Sequence, residues 1–286
     1  MTPRKSITAK ILIATLLAVL LFTVSLVGVM TFFMNTLTDH LLLQMMQPMA
    51  KTAAQGLEAN LHTLADRLFM MRDNEIFTLA RSPLWQKEAV LRTAYDGIEL
   101  EWLGLYNMDG SFYAGSGPCP EDISGREMLQ MMEDTQNLVI ENNTLDEDRL
   151  QVLMGVPVQS PYSPSSNLSD EGVYLVGAYK YDVLADVLRN INISAHSTSF
   201  IINNNGDLIG HRDTEFLLSH KTLADVMPHN AESQPLIELM IHGQSGSATF
   251  NTGDGPSFLS YAPIRGTSWS LAIMDQLVLG HYGAQK

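Results

Sequence analysis

The chain is poor in cysteine, short of basic charge and nearly without long apolar runs. Among 286 residues there is one cysteine, Cys119, set in Pro118-Cys119-Pro120. One cysteine can close no internal disulfide, which excludes a disulfide-stapled secreted domain and leaves Cys119 as an unpaired loop thiol. Lys and Arg number 17 against 31 Asp and Glu. Arg4, Lys5 and Lys10 precede Met34 and no acidic residue does, so 14 basic residues face all 31 acidic ones beyond it. Such a balance argues against nucleic acid as a partner and against polybasic docking to anionic lipid. Catalytic motifs are missing as well. The eight histidines form no H-E-x-x-H, and there is no G-x-S-x-G, P-loop or G-x-G-x-x-G after a strand. Gly115-Ser116-Gly117 reads as a turn, and Asp146-Glu147-Asp148 as a solvated turn with too few oxygens for calcium. The expectation is therefore a protein that is not an enzyme, with no catalytic residue, metal site or cofactor.

The one long apolar run, Ile11 to Met34, has 24 residues and no charged side chain. At helical rise it reaches roughly 36 Å, enough for a hydrocarbon core of ~30 Å. Basic residues flank its N-terminal end, and none follows until Lys51. That asymmetry places the N-terminus in the cytoplasm and the bulk of the chain outside the cell membrane. The run exceeds a signal-peptide core and no small-x-small cleavage site follows it, so it reads as an uncleaved anchor.

Beyond the anchor the pattern turns helical. Leu42, Met46, Met49, Ala53, Leu57, Leu61, Leu64, Leu68 and Met71 make an almost heptad stripe, with polar residues off it. The stripe serves as a core face, as a pairing face for a second copy (a homodimer), or as both. Pro48 should kink or interrupt this helix. Shorter helical pieces follow to Tyr95, starting near Ser82-Pro83. The period then changes to that of strands. Leu103–Tyr106, the turn Asn107-Met108-Asp109-Gly110, and Ser111–Ala114 form a hairpin. Ser124 could cap a helix over Gly125–Glu133. Strands follow at 137–142, 150–158 and 172–179, with a Ser/Pro/Asn-rich loop at 160–170, then a helix at 182–190. A second hairpin, Ser199–Ile202 and Asp207–Gly210 around Asn203-Asn204-Asn205-Gly206, lies 96 residues after the first, aligning Gly110 with Gly206. A helix at 235–242 and strands near 246–251, 257–264 and 269–274 repeat the order hairpin, helix, three strands. The fold class is α+β: a transmembrane helix continuing into a long helix that carries two duplicated sandwiches, each an antiparallel sheet flanked by helices.

These features together resemble the double-Cache extracytoplasmic sensor family. The resemblance rests on the anchor, the long helix, the two hairpins and D-I-S-G-R-E-M-L at Asp122–Leu129. It rests also on V-G-A-Y-K-Y-D-V-L at Val176–Leu184 and S-W-S-L-A-I-M-D at Ser268–Asp275. It implies two PAS-like modules, 96–190 membrane-distal and 191–280 membrane-proximal. Before them come a cytoplasmic N-terminus (1–10), the anchor (11–34) and the helical connection (35–95). Residues 281–286 would approach a second span that is not in this sequence, so the expectation is a truncated receptor. Family members bind small molecules in the distal module and signal through the membrane to a chemotaxis, histidine kinase or diguanylate cyclase output; the chemoreceptor class is favoured. In the amino-acid-sensing branch an Arg followed by Trp and Tyr holds a carboxylate. Arg126 matches that Arg, whereas Met128 and Leu129 replace the aromatics. The upstream Tyr falls on Glu121, a strand Tyr falls near Asn143, and the Asp that takes the amino group falls at Ala178 or Tyr179.

The candidate ligand site is therefore Arg126, whose guanidinium can clamp a carboxylate in two parallel hydrogen bonds. Trp102, Tyr106, Tyr113, Tyr174 and Tyr179 stand as aromatic lining, with Glu121, Asn143 and Glu141 as polar additions. Alternation puts Gly104 and Tyr106 on one face and Leu103 and Leu105 on the other. The implied ligand is a small molecule, carboxylate-bearing if Arg126 holds it. Two readings of other classes stand beside this one, an anchored extracytoplasmic hydrolase and a purely structural dimerisation module.

Overall fold

The computed structural model describes residues 7–78, 82–97, 100–143, 150–158, 172–191, 193–194, 196–228, 230–252 and 255–276. The loop expected at 160–170 and the acidic turn at 146–148 lie outside them. The first element, α1, is one helix of 66 residues, Ile7–Arg72. Its segment Leu12–Met34 has 23 residues, a mean hydropathy of 2.7 and no buried residue, which fits a single membrane span. The threonine hydroxyls in that segment bond back to the helix itself. Thr23 and Thr31 donate to the carbonyls of Val19 and Val27 at 2.7 and 2.8 Å.

Pro48 does not interrupt α1. It removes one backbone donor, but Pro48 and Gln44 are both exposed, so water can satisfy the carbonyl left behind. Past the apolar segment the stripe turns inward. Met46, Ala50, Ala54, Leu57, Leu61, Ala65 and Leu68 are all at most 2% exposed, packed in one cluster with residues of both sheets. Each buried leucine contributes about 1.5–3 kcal/mol. The stripe is thus core, covered by this chain's own sheets. Leu42, Met49, Ala53 and Leu64 of the same stripe are half-buried.

After α1 come α2 (Glu75–Thr78) and α3 (Leu84–Gly97). The first sheet is built from β1 (Leu100–Tyr106), β2 (Phe112–Ser116), β3 (Val139–Asn143), β4 (Gln151–Pro157) and β5 (Tyr174–Lys180). Between β2 and β3 lies α4, Glu127–Thr135. It begins two residues later than expected, because Asp122 draws Ser124 into a local turn: the Ser124 N–H and Oγ donate to its carboxylate at 2.7 and 2.9 Å. After α5 (Asp182–Asn190), the second sheet uses β6 (Ser197–Ile202), β7 (Leu208–His211), β8 (Gly246–Asn251), β9 (Pro256–Ile264) and β10 (Trp269–Gln276). Helices α6 (Thr214–Leu218), α7 (Leu223–Val226) and α8 (Gln234–Ile241) lie between β7 and β8; the first two were not expected from the sequence.

Both sheets are antiparallel and have the same order, β2-β1-β5-β4-β3 and β7-β6-β10-β9-β8. Both hairpins turn on the same device. Gly110 and Gly206 sit at φ +87° and +82°, a region open to glycine, and their N–H groups donate to Asn107 and Asn203 at 3.0 and 3.1 Å. The sheets touch at two edge strands, β3 and β7. Asn142 Nδ2 donates to the Ile209 carbonyl at 3.1 Å, the Tyr181 hydroxyl donates to the same oxygen at 3.4 Å, and the His211 N–H donates to that hydroxyl at 3.2 Å.

Candidate functional site

The face of the first sheet opposite α1 is covered by α4. Across its middle, in pairing register, run Gly104, Val176, Gly155 and Val139. Two glycines in one row leave a trough, which side chains from elsewhere fill. The Tyr106 ring folds over Gly104, 2.8 Å from where a Cβ would stand, and the Met132 sulfur lies 2.6 Å from the corresponding point at Gly155. Met128 also reaches Gly155, so two methionines of α4 lie in the trough. The neighbouring row is Trp102, Ala178, Leu153 and Glu141. Trp102, Tyr106 and Tyr174 all belong to this buried face, with Met128 and Met132. Tyr106 is edge-on to Trp102 and to Phe112, with ring centroids 6.3 and 6.0 Å away, and its hydroxyl donates to the Pro120 carbonyl at 3.1 Å. Burial pushes the Tyr106 and Tyr174 phenols up.

Arg126 is the N-cap residue of α4, in extended conformation and half-buried. Its charge acts on both Tyr106 and Glu141. Glu141 comes up from β3 to the same helix start. Burial raises its carboxyl above the ordinary value, against the pull of Arg126 and a hydrogen bond from the Met128 N–H. Its Oε2 is buried and has no hydrogen-bond partner among the described residues. A cation, a carboxylate and a helix N-terminus therefore converge beside an aromatic wall. The arrangement can bind and orient a polar small molecule. The nearby Cys119 thiol donates to the Leu103 carbonyl at 3.4 Å, and burial pushes it up to about 11, so it stays protonated at neutral pH.

The other residues expected at the site lie elsewhere. Tyr113 and Tyr179 point to the opposite face, toward α3 and α1: Lys87 Nζ sits 5.2 Å over the Tyr113 ring, and the Tyr179 hydroxyl donates to the Leu64 carbonyl at 3.1 Å. Tyr179 has the wrong strand parity for the α4 face, one residue from Ala178, while Tyr113 is skipped by the register shift that pairs Leu105 with Ala114 and Tyr106 with Phe112. Glu121 is exposed. Asn143 ends β3 opposite Gln151, and its side chain lies outside the described residues. Gln151 itself was missed. It is 2% exposed, accepts from Trp102 Nε1 at 3.4 Å and donates to Glu101. Its only signal was a polar residue opening an otherwise apolar strand. A crevice of about 590 Å³ lies between α2 and α3, but its wall, from Asn74 to Ala94, holds no charged side chain. The α4 face has the charged groups, Arg126 and Glu141, that the crevice lacks.

Structural comparison gives the same fold. The ligand-binding domain of the Pseudomonas aeruginosa amino acid chemoreceptor PctC, in complex with GABA, matches at TM-score 0.63 and 15% identity, over 84% of this chain and 100% of that one. The sensory domain of the Campylobacter jejuni chemoreceptor Tlp3 matches at 0.61 and 10%, over 86% and 97%. The ligand-binding domain of Mlp24 with asparagine matches at 0.59 and 15%, over 82% and 91%. No protein of curated function matches the sequence. The sequence profile of the double-Cache family, described as a Cache domain, matches residues 33–276, which spans α1 beyond its apolar segment and both sheets. On that match, the chain belongs to the Cache-domain family of sensor domains, in its double-Cache form.

Proposed function

We propose that the protein is the extracytoplasmic sensor of a transmembrane receptor, of the chemoreceptor class, and that it holds a small molecule between α4 and the first sheet. One observation carries this reading. The centre of that face is a glycine trough occupied by the flexible side chains of Met128 and Met132, with Arg126 and Glu141 at its edge. A ligand can displace two methionines far more cheaply than it can displace sheet-borne aromatic rings. Neighbours of the same fold carry GABA, L-Gln and asparagine, which supports a polar metabolite of that size.

The first sheet meets α1 near Leu64 and Leu68, the end remote from the apolar segment, which supports reading it as the membrane-distal module. Ligand binding would favour one of two positions of α4 and β3. That preference would pass through Asn142 and Ile209 to the proximal module, and through α1 to the membrane. The test is a thermal-unfolding screen of the full chain in lipid nanodiscs against amino acids, amines and carboxylic acids, repeated with Arg126→Ala. A compound that binds the native state raises the melting temperature. The reading expects at least one hit, weakened at least tenfold by Arg126→Ala. Hits unaffected by both Arg126→Ala and an α4 change such as Met132→Phe would place the ligand elsewhere.

A further inference from the structure

The crevice between α2 and α3 has a chemistry of its own. It lies on the side of the first sheet opposite α4, where Lys87 of α3 covers Tyr113. On α3, Trp85, Ala89 and Thr93 follow one another a turn apart, and with Gln86 and Val90 they form one face of the helix. The other side of α3 carries Lys87 and Leu91 into the interior. Asn74 and Ile76 close the crevice from the α2 side. Its volume of about 590 Å³ falls within the ~300–1,000 Å³ of small-molecule pockets. Ala89 makes the room, as the small residue between Trp85 and Thr93. Trp85 itself is 66% exposed, whereas Trp102 and Trp269 are 2% and 4% exposed. An indole ring so placed leaves a wide apolar surface in water at a concave wall, and a ring laid against it would remove that surface.

The polar groups of the wall are all neutral. Asn74 Oδ1 accepts from the Ile76 N–H at 3.0 Å, which leaves its Nδ2 to donate. The Thr93 hydroxyl donates to the Ala89 carbonyl at 2.8 Å, which leaves its oxygen to accept. Among the described residues neither the Gln86 carboxamide nor the Trp85 Nε1–H has a hydrogen-bond partner. An ion entering here would give up water for an apolar wall with no opposite charge to meet it. An uncharged hydroxyl or carbonyl would find both donors and acceptors. The wall consists of eight residues, Asn74, Ile76, Trp85, Gln86, Ala89, Val90, Thr93 and Ala94. A stable contact with a second copy or another protein takes about 20–30 residues a side, so the crevice is scaled to a small molecule.

We propose that this crevice is a second binding site, separate from the α4 face, for an uncharged aromatic metabolite that carries a hydroxyl or carbonyl group and lays its ring on Trp85. The protein holds its own reporter, because iodide in water quenches an exposed tryptophan and spares buried ones. The full chain in lipid nanodiscs is titrated with benzyl alcohol, 2-phenylethanol and 4-methylphenol, and with the charged compounds benzoate and benzylamine. Iodide quenching is read as the difference between the native chain and Trp85→Phe, in which the other fluorophores cancel. The inference expects at least one uncharged compound to shield Trp85 saturably, while benzoate and benzylamine leave it quenched as before. Ala89→Phe fills the crevice from an exposed helix position and should weaken that compound about tenfold or more. Thr93→Phe fills it from the next turn and replaces Ala89→Phe if the unliganded melting temperature of the latter falls. Four results would overturn the inference: no shielding by any compound, equal shielding by the charged ones, shielding indifferent to both fillings, or shielding that grows with chain concentration alone. The last would put a second copy in the crevice. None of the four bears on Arg126, so the reading of the α4 face stands or falls separately.

Discussion

The two modules share a sheet order and a turn chemistry but differ in what lies under their covering helices. In the first, the central row across the sheet is Gly104, Val176, Gly155 and Val139; in the second it is Phe200, Ala272, Tyr261 and Gly246. Where the first has glycine, the second has a fully buried phenylalanine and a buried tyrosine. The second face is therefore filled by rings fixed to its own strands, packed against Leu223, Ile237 and Met240. The first face is filled from outside, by methionines on a helix. The charges differ too, since Glu141 of the first corresponds to Ala248 of the second. The two copies of the scaffold thus differ in what fills them, and the proposed site lies in the copy filled by flexible side chains.

The strongest way to break this contrast is to give the second module the first one's glycine. Phe200→Gly removes a ring that is 0% exposed and should cost about 3–5 kcal/mol in denaturant unfolding. The reciprocal change, Gly104→Ala, places a methyl 2.8 Å from the Tyr106 ring, which Trp102, Phe112 and the Pro120 carbonyl hold in place. It should cost about 1–3 kcal/mol by overpacking and also weaken any ligand bound in the trough. The turn glycines sharpen the comparison. Alanine at either position pays for a left-handed φ, about 1–2 kcal/mol. At Gly110 the new methyl also meets the Ser124 backbone at 2.7 Å, whereas at Gly206 it meets only side chains, Ile241 at 3.3 Å and Ile237 at 4.0 Å. Gly110→Ala should therefore be the more damaging of the two.

The contact between the modules gives smaller effects. Tyr181→Phe removes the hydroxyl that serves both Ile209 and His211 and should cost about 1 kcal/mol. His211 is stacked on Phe216, shares a hydrogen bond with Thr198, and is faced by Asp213, Arg212 and Lys221. Burial lowers its pKa below the ordinary 6.5. The unfolded chain then takes the proton more readily than the folded one. Stability present above pH 6.5 is lost as the pH falls below it. Unfolding measured at descending pH should show this loss, and His211→Asn should flatten it.

Much of the fold was legible because its signals are local. The apolar run, the two Asn-to-Gly turns and the repeated element order each follow from a few neighbouring residues. The stripe on α1 was legible as a stripe, but not its occupant, because sheets and a second helix bury the same spacing equally well. Arg126, Trp102, Tyr106 and Tyr174, grouped from the sequence, do lie together beside α4. Tyr179 was grouped with them because alternation gives the parity of a strand but not which parity faces α4, and Tyr113 because residue types do not display the register shift beside it. Glu141 gained its meaning from an unpaired oxygen, which no pattern of residue types displays. Pro48 warned of a break that an exposed, water-reachable carbonyl makes unnecessary.

The central claim is that a metabolite binds under α4 of the first module and not under α8 of the second. Hydrogen exchange on the full chain, with and without a saturating hit from the screen, tests it most directly. The account predicts slowed exchange across Glu127–Thr135 and Val139–Asn143, with Gln234–Ile241 unchanged. Protection centred on Gln234–Ile241, with α4 and β3 exchanging as before, would contradict it.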